Sequence, residues 1–161
     1  MVSKTFPAYH PRAGEPTNFK EKILNGEKIH TIRGNFSFWE KRIIQIQLGL
    51  AELSVRQWIG KPYRSKQKEV LLTESVGIET ISINNKIIDI NNQHTRIGYP
   101  SMMFNALAAS DGFCDSIDLF NWFQMDKKNF NGGAIIHFTP FRYITPFENP
   151  NLKIPHDEHK R

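Results

Sequence analysis

The sequence predicts one α+β domain, a small β-barrel flanked by helices, and three observations carry that expectation. Short β-prone runs fill much of the first half, a short helical pattern precedes them, and a pair of helical patterns follows late in the chain. A chain of 161 residues suits one domain, and folding at that size removes about 70% of the unfolded chain's surface from water. Apolar residues make up 39% and Phe occurs 12 times, which provides a packed core and argues against a wholly disordered chain.

Residues 1–16 carry Pro7, Pro11, Gly14 and Pro16 and read as an extended N-terminal arm or loop. In 17–25, Phe19, Ile23 and Leu24 recur at helical spacing, with Thr17 or Asn18 available as cap. Gly26 then sits where a left-handed helix terminator belongs. β-prone stretches follow at 29–33, 41–48, 50–58, 69–83 and 86–90, the 69–83 run being long enough for two strands. Asn84-Asn85 makes a hairpin turn between Ile83 and Lys86. Residues 101–109 and 116–123 return to helical spacing, separated by Asp111-Gly112. Gly132-Gly133 opens a final strand over 134–139, stopped by Pro140. From 148 the chain is polar, holds Pro150 and Pro155, and reads as a flexible tail, so the domain proper is expected over 17–147.

Lys and Arg total 21 against 16 Asp and Glu, a formal charge of +5 that favours anionic partners such as nucleic acid. Cys114 is the only cysteine, which excludes an intrachain disulfide and a Cys-rich zinc site. The six histidines lack metal-ligand spacing except His156 and His159 in the tail, and Gly132-Gly133 lacks the Lys-Ser/Thr of a phosphate loop, so neither metal nor cofactor is expected. The N-terminus has no apolar leader run and the chain no apolar stretch of membrane-spanning length; a cytoplasmic protein without membrane attachment is the expectation.

Asn25-Gly26-Glu27-Lys28-Ile29-His30-Thr31-Ile32-Arg33 places a lysine, a threonine and an arginine where a helix gives way to a strand. Side chains alternate along a strand, so Thr31 and Arg33 share a face, and Lys28 joins them only from the turn after Gly26. A desolvated Lys28 would serve as general base on the Thr31 hydroxyl, with Arg33 holding a carbonyl or anionic oxygen. The alternative is an ordinary strand with solvated Lys and Arg. A second constellation, Arg56, Trp58, Lys61, Tyr63, Arg64, Lys66 and Lys68, interleaves cations and aromatics without an acid. That pattern suits phosphate neutralisation and base stacking, or equally a solvated hairpin. Asp111 either ends a helix, with Ser116 capping the next, or supplies a carboxylate to Lys28 beside an apolar wall from Phe113.

Gly26-x-Lys28-x-x-Thr31-Ile32-Arg33 after a short helix, Asp111-Gly112-Phe113, and an aromatic-rich helix ending in Trp122-Phe123 together resemble the ASCH domain of the PUA-like superfamily. The resemblance spans roughly residues 19–138. It implies a small PUA-like barrel with flanking helices and a cleft for RNA or a modified nucleoside. Some ASCH proteins are amidohydrolases that deacetylate N4-acetylcytidine through a lysine, a threonine three residues on and a downstream glutamate. Lys28 and Thr31 match the first two, and Asp111, one methylene shorter, takes the place of the glutamate.

Two functions follow as expectations: binding of RNA or a modified nucleoside in a basic cleft, and hydrolysis of an N4-acylated cytidine by Lys28, Thr31 and Asp111. Trp58, Lys61, Tyr63, Arg64 and Lys66, with Arg33, Arg56 and Phe113, are the expected ligand contacts. A third expectation, a protein-interaction factor using the Pro-rich arm and the tail, has no docking motif behind it.

Overall fold

A computed structural model describes residues 1–92 and 95–143. The expected tail over 148–161, the end of the expected domain at 147, His94, His156 and His159 lie outside the described residues. The chain is α+β: helix α1 (Phe19–Leu24), strand β1 (His30–Arg33), helix α2 (Phe36–Gln47), strands β2 (Leu53–Trp58), β3 (Gln67–Thr73), β4 (Gly77–Asn84), β5 (Ile87–Ile90) and β6 (Thr95–Gly98), helices α3 (Met102–Ser110) and α4 (Ser116–Phe123), and strand β7 (Phe130–His137).

Five strands form an antiparallel sheet in the order β1-β7-β4-β5-β6, and β2 and β3 form a separate hairpin. Among the described residues these two sheets do not hydrogen-bond into a closed barrel. The five-stranded sheet is covered on both faces. Alternate residues Ala134 and Ile136 of β7 pack with Ile43 and Ile46 of α2, while Ile135 joins Ile81, Ile83, Ile88, Ile97, Phe104, Leu107 and Leu119 in the main core. The strict alternation of buried and half-buried residues along β4 reflects this division. No helix among the described residues is long and apolar enough to cross a membrane.

Residues 41–48, expected as a strand, belong to α2. Ile43, Ile44 and Ile46 carry β-propensity, but Phe36, Trp39, Ile43 and Ile46 recur at three- and four-residue intervals and supply the face that packs on the sheet. Asn35 caps that helix, its side chain accepting from the Phe38 N–H. The expected hairpin forms between β4 and β5, with its turn one residue later than expected. Asn85 and Lys86 both have positive φ, 48° and 66°, as a type I′ turn requires. Strand β6 was not expected, and Gly132-Gly133 lies inside β7 rather than opening it.

The first 16 residues contain no regular element but are packed. Val2 and Phe6 are buried in the main core, and Val2 bridges to Gln57 at the end of β2. Phe6 stacks on the buried His10 at 4.4 Å, and Arg12 reaches Asp118 of α4 at 2.6 Å. These contacts fix the segment as one wall of the site.

Candidate functional site

Two helix ends face each other to build the centre of the site. After α1, Asn25 is the C-cap and Gly26 takes φ +74°; the Gly26 N–H donates to the Ile23 carbonyl at 3.1 Å and Glu27 N–H to that of Lys22 at 2.8 Å. After α3, Asp111 is the C-cap and Gly112 takes φ +86°, with Gly112 N–H donating to Ala109 at 2.8 Å and Phe113 N–H to Ala108 at 2.9 Å. Both are Schellman terminations, in which glycine's freedom at positive φ lets the chain reverse while the last carbonyls stay bonded. The Ile29 N–H then donates to the Ser110 carbonyl at 2.9 Å, stitching the entry to β1 onto the end of α3.

Lys28 therefore lies in the irregular link after Gly26, where the sequence required it to be. Its ammonium donates to Asp111 Oδ1 at 2.7 Å and to the Asp111 backbone carbonyl. Only 2% of the Lys28 side chain and 6% of the Asp111 side chain meet solvent. The shorter acid reaches because the lysine stem runs directly across Gly112; a Cβ there would stand 2.8 Å from Lys28 Cδ. Burial pushes the Lys28 amine below its ordinary pKa despite the attraction of Asp111. Burial opposes ionisation of Asp111 as well, but the Lys28 charge and the neighbouring His30 ring prevail and hold its pKa below the usual carboxylate value.

Behind this pair runs a buried polar chain that sequence reading missed. His30 Nδ1 lies 3.4 Å from Asp111 Oδ1, and its Nε2 lies 2.8 Å from the Tyr143 hydroxyl. Burial lowers the His30 pKa, which favours the neutral ring beside the Tyr143 hydroxyl. His137 packs edge-on to His30 at 5.3 Å and pairs with Glu79 at 2.6 Å; Glu79 also accepts from Asn91 at 2.8 Å and from the Tyr143 N–H. Alternation along β1 and β7 was the available signal: His30 and His137 are register partners at strand positions where apolar side chains are the norm.

The pair opens on a cavity of about 510 Å³, within the range of small-molecule sites. Phe19, Phe113 and Trp122 form an aromatic side, with ring centroids 5.3 to 5.8 Å apart. Trp58, Lys61 and Tyr63 line the mouth. Tyr63 is 91% exposed, and its ring stands 5.4 Å from that of Trp58. Their loop is set by the Ser65 side chain, which accepts from Gly60 N–H at 3.0 Å and donates to the Lys61 carbonyl at 2.9 Å.

Thr31, Ile32 and Arg33 line the cavity from β1, an edge strand of the five-stranded sheet. Thr31 and Arg33 stand opposite Ile136 and Ala134, on the sheet face that carries α2, whereas His30 and Ile32 stand opposite His137 and Ile135 on the core face. Thr31 and the Lys28–Asp111 pair thus meet the same cavity across a sheet edge rather than from one face. The Phe138 N–H donates to the Ile29 carbonyl at 3.1 Å, so ladder alternation turns the Ile32 N–H and carbonyl outward, toward the cavity. Arg33 wraps this edge, donating to the Ile32 carbonyl at 2.9 Å and the Met1 carbonyl at 2.5 Å. Burial lowers its pKa against the attraction of Asp111, although a guanidinium stays charged.

The remaining expected contacts lie elsewhere. Arg56 is exposed on β2 and bonds Ser54, itself bonded to Glu69, and Arg64 and Lys66 are exposed outside the cavity lining. An acid-free run of sequence is therefore not an acid-free surface, because pairing with β3 brings Glu69 opposite Arg56. Asp111 both ends its helix and meets Lys28. The cap of α4 is Asp115, which accepts from the Asp118 N–H at 2.8 Å, rather than Ser116. Among the described residues no group of three or more His, Cys, Asp or Glu side chains is placed to hold a metal. Compared with protein-family models, curated proteins and solved structures, the chain has no match.

Proposed function

We propose that this protein is an ASCH-type binding domain whose cavity takes a modified nucleoside, free or within single-stranded RNA. The observation that carries the reading is the make-up of that one cavity. Aromatic faces of Trp58, Tyr63, Phe113 and Trp122 stand beside the cations Lys4, Arg33 and Lys61, with a dry Lys28–Asp111 pair at the base. Aromatic faces stack on unpaired bases, cations take backbone charge, and an amine fixed beside a carboxylate reads the donors and acceptors of a base edge.

The test is a fluorescence titration that uses Trp58 and Trp122 as reporters. N4-acetylcytidine and a short single-stranded RNA both quench, and RNA affinity falls as salt rises, with a log–log slope of about −0.7 per phosphate contacted. RNA binding indifferent to salt, or no quenching by either ligand, refutes the assignment.

A second reading is favoured by the state of Lys28. Burial lowers the Lys28 pKa below its ordinary value, which eases release of the ammonium proton and so its use as a general base. In that role the Thr31 hydroxyl attacks the acyl carbonyl of an N4-acylated cytidine while Lys28 takes its proton and passes it to the departing exocyclic nitrogen. Water then releases acetate from Thr31, and Asp111 keeps Lys28 in place. Release of free cytidine from N4-acetylcytidine, abolished in Lys28→Ala and in Thr31→Val, establishes this chemistry; unchanged substrate after hours with the folded protein eliminates it for that compound.

A further inference from the structure

Four cationic side chains line the cavity, Lys4, Lys28, Arg33 and Lys61, against the single carboxylate of Asp111. Lys28 and Asp111 neutralise each other at 2.7 Å, which leaves three cationic side chains around one hollow, beside the Met1 α-amine, whose pKa is lowered by burial and by Arg33. Among the described residues no salt bridge reaches Lys4, Arg33 or Lys61, although other cations of this chain, such as Arg12 and Arg96, do find carboxylates. Arg33 is the most telling of the three. It is partly buried at the sheet edge, and the acceptors it has found are two neutral backbone carbonyls. Two of its five N–H groups are thereby fixed, which orients the planar fork, and the other three have no acceptor among the described residues. Lys4 is likewise held at the rim by the Ile59 carbonyl at 3.0 Å, next to the loop that carries Lys61.

Like charges gathered around a partly desolvated hollow repel one another, and an anion seated among them relieves that cost. A guanidinium held by carbonyls is a geometry made for bidentate contact with phosphate oxygens.

We infer that the ligand is a phosphorylated nucleoside, a mononucleotide or the terminal nucleotide of a strand, its base among the aromatic rings and its phosphate on Arg33, Lys4 and Lys61. The inference rests on the base-binding reading and narrows it: an unphosphorylated nucleoside would leave this cationic corner empty.

Cytidine, cytidine 5′-monophosphate, a 5′-phosphorylated trinucleotide and inorganic phosphate are titrated against the full chain at low salt. The monophosphate should bind at least about tenfold more tightly than cytidine, a gain that charge-assisted bonds of this number readily supply. Arg33→Gln should remove most of the preference of the monophosphate over cytidine, and Arg33→Lys should keep more of it. Lys61→Gln, on an exposed loop where folding is not at stake, should lower the preference several-fold. A trinucleotide that matches or exceeds the monophosphate identifies a strand end as the source, and a weaker one identifies the free nucleotide; either supports the phosphate seat. Equal affinity for cytidine and its monophosphate overturns the inference while leaving base binding intact. Inorganic phosphate as tight as the monophosphate, with cytidine silent, overturns it together with the base-binding reading.

Discussion

Replacing Asp111 by Asn would strand the Lys28 ammonium in a dry site, and the structure sets the size of the effect. The two side chains are 2% and 6% exposed and 2.7 Å apart. Removing one partner of such a pair costs about 3–5 kcal/mol, because the remaining charge is left uncompensated. For a chain of this length each kcal/mol lowers the melting temperature by about 2–4 °C, so Asp111→Asn should melt about 10 °C early. The loss depends on pH in a defined direction. The folded-state pKa of Lys28 already lies below its unfolded value, and without Asp111 it falls further. Between that lowered value and about 10.4 the unfolded chain binds the proton more tightly, so stability rises with pH through that window. Urea denaturation of Asp111→Asn should therefore show a larger deficit at the low-pH end of that window than at its high-pH end. The double variant Lys28→Met/Asp111→Leu, with no charge left to bury, should return to within about 1 kcal/mol of the parent. A single-variant deficit under about 1 kcal/mol that ignores pH would refute the claim that the amine is held dry.

Three other outcomes follow from the same geometry. Gly112→Ala places a Cβ 2.8 Å from Lys28 Cδ at φ +86°, and should cost about 1–3 kcal/mol in denaturation while weakening ligand binding. Burial would raise the Glu79 pKa, but His137, the Tyr143 N–H and Asn91 outweigh it and bring the carboxyl down from 4.5 to about 2. The stability this provides is complete above pH 4.5 and is lost as pH falls from there through about 2; the total is about 3 kcal/mol. Glu79→Gln should flatten the urea midpoint across that interval. Trp58→Ala should weaken single-stranded RNA by about 1–3 kcal/mol per stacked base in a titration read from Trp122.

Legibility in the sequence tracked how local each determinant is. Gly26 announced its left-handed termination because glycine past a helical run has a single inexpensive use there, and Ser116–Phe123 announced α4 through helical spacing. The Lys28–Asp111 pairing was proposed from the turn after Gly26, and the fold places those two residues in contact across 83 positions of sequence. Helix α2 was misread because isoleucines at 43, 44 and 46 satisfy a strand pattern locally, and its periodicity emerges once Phe36 and Trp39 are counted with them. The charge of the 56–68 run was misplaced for a different reason. Linear composition does not reveal that β3 returns Glu69 to the side of Arg56 and leaves Lys61 facing the cavity.

The open edge of β1 explains why the site lies where it does. An edge strand exposes backbone N–H and carbonyl groups that must be paired, covered or protected from other chains. Here the outward carbonyl of Ile32 is satisfied by Arg33, whose second bond ties the first residue of the chain to the same edge. Val2 continues that wall to β2 by bonding the Arg56 carbonyl at 2.8 Å. The gap between β1 and the β2–β3 hairpin is therefore bordered rather than closed. Its depth is set by the two helix ends that hold Lys28 and Asp111. Had β1 paired directly with another strand, the Ile32 peptide and Arg33 would be consumed by the ladder and the hollow would vanish. Leaving one strand pairing unmade gives a sheet edge with fixed donors, a guanidinium and a dry ion pair in one place. That omission keeps the hollow open and leaves the arginine that guards the edge on its border.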